Sequence, residues 1–241
     1  IEEYQDGPFF LYVAHEAPHV PFQGRLDSAY RFPDRQFTYL GPATDRKAKL
    51  QEMIEVMDEG VGKVISALER LGLQEETLVF FLSDNGGRGD VGNNGPLRGQ
   101  KGQLWEGGHR VPAIAYRPGM IERGTTDQLT MSMDIFPTVL SVCGIQDTGL
   151  KLDGIDLSPV IFNGQPLAER ALFWRYRGQQ AARWRDYKLM ITPTDTSLFD
   201  LSKDLTEQIN LSQIYPSVFD DLTGRLQVWQ NEMDRTPQIT N

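Results

Sequence analysis

Residues 78–87 read LVFFLSDNGG. Leu78 to Leu82 form an unbroken apolar run without alternation, the pattern of a strand covered on both faces, as in a parallel sheet flanked by helices. The run stops at Ser83-Asp84-Asn85 and two glycines, residue types that favour turns. Upstream, PFFLYVA at 8–14 repeats the pattern and runs into a loop holding His15, Pro18, His19 and Pro21; this predicts a second buried strand. After a polar stretch around Arg25 to Thr44, Leu50, Met53, Ile54, Met57, Val61, Val64, Ile65, Leu68 and Leu71 recur at helical spacing. Gly72 is placed to end that helix in a left-handed conformation. Downstream, nine glycines fall in 86–108, a loop longer than a simple connection requires. VPAIAY at 111–116 predicts a strand, and DIFPTVLSVC at 134–143 a helix with Pro137 in its first turn and Gly144 after its end. Strand, helix, strand, loop, strand, helix is the alternation of an α/β sheet.

Near residue 165 the pattern changes. ALFWRYR, QQAARWRDYKLMI and SLFDL are short segments rich in aromatic and β-branched residues, with Asp186 and 192–196 as turns, and predict an antiparallel meander. A last helix is expected over 215–233, with Val218, Leu222, Leu226 and Trp229 on one face. The expected organisation is an α/β domain over 1–164 and a small α+β subdomain over 165–241.

Bulk composition narrows the function. The 241 residues carry 33 acidic against 24 basic side chains, a formal charge of -9, which argues against a nucleic-acid binder with a basic surface. No apolar run is long enough to cross a bilayer. Any anion site must then be a local positive pocket in a negative molecule. Cys143 is the only cysteine, so no intrachain disulfide can form; on the apolar face of a short helix it is expected to be a buried, inert thiol. The chain opens Ile1-Glu2-Glu3 without a Met or an apolar leader, read here as the sign of a missing upstream portion.

Ligands of open α/β sheets collect at the carboxyl ends of strands, where Asp84-Asn85 and the His19 loop are both expected. A carboxylate and an amide oxygen suit Ca²⁺ or Mg²⁺ better than zinc, but two ligands do not complete a cage of six or more; alone, Asp-Asn-Gly-Gly reads equally as a turn. Lys101 and Arg98 lie in GPLRGQKGQLWEGGHRVP, where glycines let backbone approach an anion and the lysine supplies a point charge. The spacing is not that of a P-loop, and a solvated loop with scattered charges is the plain alternative. His19 can donate a proton to a leaving oxygen or hydrogen-bond an anion. His15, closer to the strand, is expected to be packed, and His109 to border the loop. Arg88, Arg98, Arg110 and Trp105 are further candidates for substrate contact, each equally suited to structural pairing.

PFFLYVAHEAPHVPFQ, LSDNGG, PLRGQKGQLWEGGHRVPAIAYRPG and DIFPTVL, in this order, resemble the sulfatase family, and ARWRDYKLM with SLFDLSKDLTEQINL extends the resemblance through most of the chain. The resemblance implies an alkaline-phosphatase-like α/β fold followed by a small antiparallel sheet with a helix, a bound Ca²⁺ rather than Mg²⁺, and hydrolysis of aryl or carbohydrate sulfate esters. It implies that Asp84 and Asn85 ligate the metal, that Lys101 contacts the sulfate and that His19 contacts the sulfate or the leaving oxygen. A periplasmic or secreted location is likewise implied. The family's C/S-x-P/A-S/A-R motif, the source of its formylglycine nucleophile, is not in this sequence, nor is the early acidic pair that completes the metal site. The chain alone is therefore expected to be inactive and to bind Ca²⁺ weakly, with the N-terminal part of the same protein as its partner. Two alternatives are a phosphoester hydrolase of the same superfold and a non-catalytic module that binds sulfated glycans.

Overall fold

A computed structural model describes residues 1–27, 45–145 and 149–235. Most of the polar stretch before the first helix, residues 28–44, lies outside the described residues. The chain divides into two compact units: Ile1–Phe81 with Asp90–Gly92 and Ile114–Ile121, and Leu82–Gly89 with Asn93–Ala113 and Glu122–Asn241.

In the first unit the helical spacing becomes α1, Arg46–Arg70. Asp45 starts it: its carboxylate accepts the Ala48 N–H at 3.1 Å, satisfying one of the four N–H groups a helix start leaves without partners. Gly72 ends it at φ 69°, with its N–H on the Glu69 carbonyl and the Leu73 N–H on the Leu68 carbonyl. These are the paired bonds of a Schellman cap, which needs a residue free to adopt positive φ. Asp45→Ala is expected to destabilise this helix by about 1 kcal/mol, read as a lower chemical-denaturation midpoint; an unchanged midpoint would mean that water replaces the cap. Leu50 and Met53 of α1 pack on Val20, Phe22 and Val91.

β1, Val79–Leu82, pairs with β2, Ala113–Tyr116, where strands were expected. The expected strand at 8–14 does not form. The segment is extended, but Phe10 and Tyr12 are 79% and 80% exposed, and no ladder bonds join it to another strand among the described residues. A strand needs a neighbour for its N–H and C=O groups as well as cover for its faces, and an apolar run records only the second requirement.

In the second unit, α3, Ile135–Val142, follows a short 3-10 turn at Ser132–Asp134. Asp134 is fully buried and organises the surrounding chain. Its oxygens accept the Met131 N–H at 2.6 Å, the Ile155 N–H at 3.0 Å and a fork from Arg170 at 2.8 and 2.5 Å. Cys143 caps the end of α3 and is exposed, which corrects the expected burial. The whole end of the helix, residues 141–145, is exposed, and the burial on α3 is confined to Thr138.

A short helix α4, Ser158–Asn163, precedes the meander β3 (Ala171–Tyr176), β4 (Gln179–Trp184), β5 (Tyr187–Ile191) and β6 (Thr196–Asp200). The order is β3-β4-β5-β6, every pair antiparallel. The last helix, α5, spans Pro216–Arg235. Ala182, Leu189 and Leu198 share one face of the sheet and pack on Leu222 and Leu226 of α5. The other face carries Ala181, Met190 and Phe199, which pack with Leu104, Trp105 and Trp174. Covered on both sides, the sheet has cores in two layers, each built by the period-2 alternation of its strands. Apolar strands with helices, followed by an antiparallel sheet with a helix, make this an α/β fold with an antiparallel subdomain.

Candidate functional site

β1 delivers the chain to Ser83, Asp84 and Asn85. The turn there is held by its own groups: the Ser83 hydroxyl donates to the Asn85 carbonyl at 2.9 Å, and the Asn85 amide donates to the Asp84 carboxylate at 2.5 Å. The glycine-rich loop is stitched to this turn through backbone. The Lys101 N–H donates to the Gly87 carbonyl at 3.1 Å and the Gly86 N–H to the Gly108 carbonyl at 2.9 Å. Asn94 bridges the two segments: its side-chain oxygen accepts the Gly87 N–H at 2.8 Å, and its amide donates to the carbonyls of Gly87 and Gly99 at 3.2 and 3.1 Å. The approach requires glycine, since a Cβ on Gly86 would lie 1.8 Å from the Gly107 carbonyl oxygen. Asp84, Asn85, Lys101 and Arg98 are thereby gathered in one unit.

Part of the expected loop is a short helix, α2, Glu106–His109, built over buried charge. Lys188 of β5 is 0% exposed and pairs with Glu106 Oε1 at 2.9 Å and with Glu207 Oε1 at 2.8 Å. Its third contact is His109 Nε2 at 3.1 Å. The same Nε2 lies 3.1 Å from the Leu104 carbonyl oxygen; the ammonium asks for a lone pair there and the carbonyl for a proton, so Nε2 serves one of the two at a time. Glu106 is also reached by Arg183 at 3.4 Å and Arg110 at 3.5 Å, and its backbone N–H donates to Glu207 Oε2 at 2.7 Å.

The cluster sets its own protonation. Burial would raise the Glu106 carboxyl, but the Lys188 ammonium and its hydrogen bond, with help from Arg183, hold it below the ordinary carboxylate range. Glu207 has Lys188 as its ion-pair partner, and burial wins, raising it. Burial and the Lys188 charge push His109 down to about 4, so it is neutral. Its ring lies 4.6 Å from that of Trp174. Arg98 is engaged as well: it donates to the Glu207 carbonyl at 2.6 Å and sits 3.7 Å above the Trp105 ring.

His19 belongs to the first unit and is exposed. Its Nδ1 lies 3.0 Å from the Val20 carbonyl; donating there leaves Nε2 facing outward. His15 is exposed, not packed, although its ring stands within 3.6 Å of where a Cβ on Gly60 would be. The segment is not tied into a sheet, so nothing covers it among the described residues. Arg88 and Arg110 are both partnered.

Four side chains of the buried cluster, Glu106, Arg183, Lys188 and Glu207, were not singled out from the sequence. The available signal was a lysine between Tyr187 and the apolar run Leu189-Met190-Ile191, two residues from the core residue Met190 on the same face.

Asp84 and Asn85 offer two hard oxygen donors, the right kind for Ca²⁺, against the six to eight it takes. Among the described residues no group of three or more His, Cys, Asp or Glu is placed to hold a metal ion. The pair fits the ion in donor type. No helix among the described residues is long and apolar enough to cross a membrane.

Comparison with known proteins identifies the family. Residues 1–145 match the sulfatase family model. Mouse N-acetylgalactosamine-6-sulfatase is 38% identical over 181 residues, covering 72% of this chain and 32% of that protein. Human arylsulfatase A is 35% identical over 243 residues, covering 86% and 45%. Among solved structures, Ps i-CgsB in complex with k-i-k-neocarrahexaose superposes with a TM-score of 0.81 at 26% identity, covering 95% of this chain and 51% of that one. The chain thus spans from about a third to half the length of these relatives. A match over most of its length, from the His19 loop through the Asp84 turn and the Lys101 loop to α3, places this chain in the sulfatase family.

Proposed function

We propose that this chain carries part of a site that hydrolyses sulfate esters. Supporting the reading is the stitching of the Asp84-Asn85 turn to the Lys101 loop, which brings a carboxylate, an amide and an ammonium group onto neighbouring backbone. Asp84 and Asn85 would hold one side of a Ca²⁺, which when bound would supply positive charge to the non-bridging sulfate oxygens. Lys101 adds a second positive group for those oxygens, and Arg98, fixed over Trp105, adds positive potential to the same loop. Such preorganised charge stabilises the transition state because it needs no rearrangement when charge develops. With both ring nitrogens protonated, His19 would keep its Nδ1–H on the Val20 carbonyl and give the Nε2 proton to the departing oxygen, returning to the neutral imidazole.

The nucleophile of this reading is a formylglycine in a segment bearing the C/S-x-P/A-S/A-R motif, which is absent from this sequence. By the same reading the 241 residues are a fragment of the active protein, in a periplasmic or secreted setting. The isolated chain should release 4-nitrophenol from 4-nitrophenyl sulfate no faster than buffer and bind Ca²⁺ weakly by calorimetry. In the polypeptide that includes the nucleophile, Lys101→Ala should lower kcat/KM about 10²-fold, the usual cost of removing one charge-stabilising donor. Undiminished turnover by that variant, or turnover by the isolated chain, would remove the reading.

A further inference from the structure

Lys101 stands in a stretch whose two ends are held by one residue of the antiparallel subdomain. On its N-terminal side the Arg98 guanidinium donates to the Glu207 carbonyl at 2.6 Å. On its C-terminal side the Glu106 backbone N–H donates to Glu207 Oε2 at 2.7 Å, while Oε1 of the same carboxylate pairs with Lys188 at 2.8 Å. Between these points the Leu104 N–H donates to the Gln179 side chain at 3.1 Å.

Glu207 is fully buried, and its backbone is left-handed at φ 55°, a conformation that favours glycine or asparagine. A backbone of this kind persists where its surroundings over-determine it, and Asp204 does so here. The Asp204 carbonyl accepts the Glu207 N–H at 3.2 Å, and its carboxylate accepts the N–H groups of Gln208 and Ile209, both at 2.7 Å. The turn is therefore fixed on its own side, and both the carbonyl and the carboxylate of Glu207 are offered to the Lys101 segment. An apolar side chain would fill the space without burying a charge. What the glutamate adds is an acceptor for Lys188 and for the Glu106 N–H at once.

We propose that Glu207 is a positioning residue for Lys101: by holding Arg98 and Glu106 it sets where the ammonium group stands beside the Asp84 turn. It acts through the lysine and not on the substrate. The proposal rests on the reading of Lys101 as a group that meets the substrate, and its first test needs no turnover, so the two can fail separately.

Glu207→Gln keeps the volume, but whichever way its amide turns, an NH2 group faces Lys188 or the Glu106 N–H, both donors, and one tie is lost. In the purified chain, hydrogen exchange followed by NMR should show the Lys101 and Gly107 amides accelerated about tenfold relative to those of Leu189 and Met190 in β5, the mark of local opening. Arg98→Met, which cuts the other tie and keeps an apolar stem over Trp105, should give the same relative acceleration. In the polypeptide that includes the nucleophile, Glu207→Gln should lower kcat/KM about tenfold, but less than about twofold when Lys101 is already alanine, because residues acting as one unit are not additive. A residue that only supports the fold would cost the same in both backgrounds. No relative acceleration in either variant, or an equal loss of kcat/KM with and without Lys101, would each overturn the proposal. Turnover independent of Lys101 would sink the hydrolase role of the lysine instead, and the exchange comparison would still decide whether Glu207 holds the segment.

Discussion

Replacing Lys188 with methionine is expected to destabilise the unit containing β3–β6 by about 3–5 kcal/mol, the cost of breaking a buried ion pair by removing one partner. Methionine fills a similar volume, so the loss is electrostatic. Glu106 and Glu207 would be left in a site with no exposed surface, and their ammonium partner at 2.9 and 2.8 Å would be gone. Glu106 keeps Arg183 at 3.4 Å, whereas Glu207 keeps the Glu106 backbone N–H and must take up a proton or admit water. Adding Glu207→Gln to Lys188→Met should therefore recover part of the loss, because it removes one of the two stranded charges. Urea unfolding followed by tryptophan fluorescence measures both. A single variant within 1 kcal/mol of wild type, or a double variant less stable than the single one, would show that the cluster is not the clamp described.

Acidification is the second large effect. His109 is held at about 4 against 6.5 for a free imidazole. Its pKa is lower in the fold, so the unfolded chain takes the proton first. The stability this burial contributes is full above pH 6.5 and is lost progressively as pH falls from 6.5 toward 4, by about 3 kcal/mol at completion. Glu207 acts in the opposite direction. Its raised carboxyl takes its proton in the fold before it would in the unfolded chain, returning some stability over the same acid range. Glu106, held low, adds a loss only as pH falls through and below the ordinary carboxylate value. The net expectation is a declining urea midpoint between pH 7 and 4.5. The decline should flatten in His109→Gln, which has no imidazole to titrate, and steepen in Glu207→Gln, which has lost the compensating carboxyl. A midpoint independent of pH over that range in Glu207→Gln, where nothing offsets the imidazole, would mean that His109 is not buried neutral.

Both effects bear on the proposed chemistry, because Glu106 and His109 belong to the segment that presents Lys101. The Gly107 N–H donates to the Arg98 carbonyl at 2.7 Å and the Gln103 N–H to the Gln100 carbonyl at 3.0 Å, so Lys101 lies between points fixed to the buried cluster. Loss of the clamp should loosen the position of the lysine before the unit unfolds.

The sequence by itself determined the elements whose causes are local. The recurrence from Leu50 to Leu68 and the stop at Gly72 are visible because a helix repeats every 3.6 residues and its end requires positive φ. The meander after residue 165 is visible through alternation and turn residues, and the order of the motif blocks pointed to the family. Only the tertiary structure decided the fate of PFFLYVA, because an apolar run says that faces can be covered but not which strand will satisfy the backbone beside it. Likewise, nothing in Trp105-Glu106-Gly107-Gly108-His109 shows that Glu106 will meet a lysine 82 residues later. The register of β4, β5 and β6 turns Lys188 to the face away from α5 and toward that turn. A buried charge is tolerable only where its partner is brought in from distant sequence, and that is a property of the packed chain.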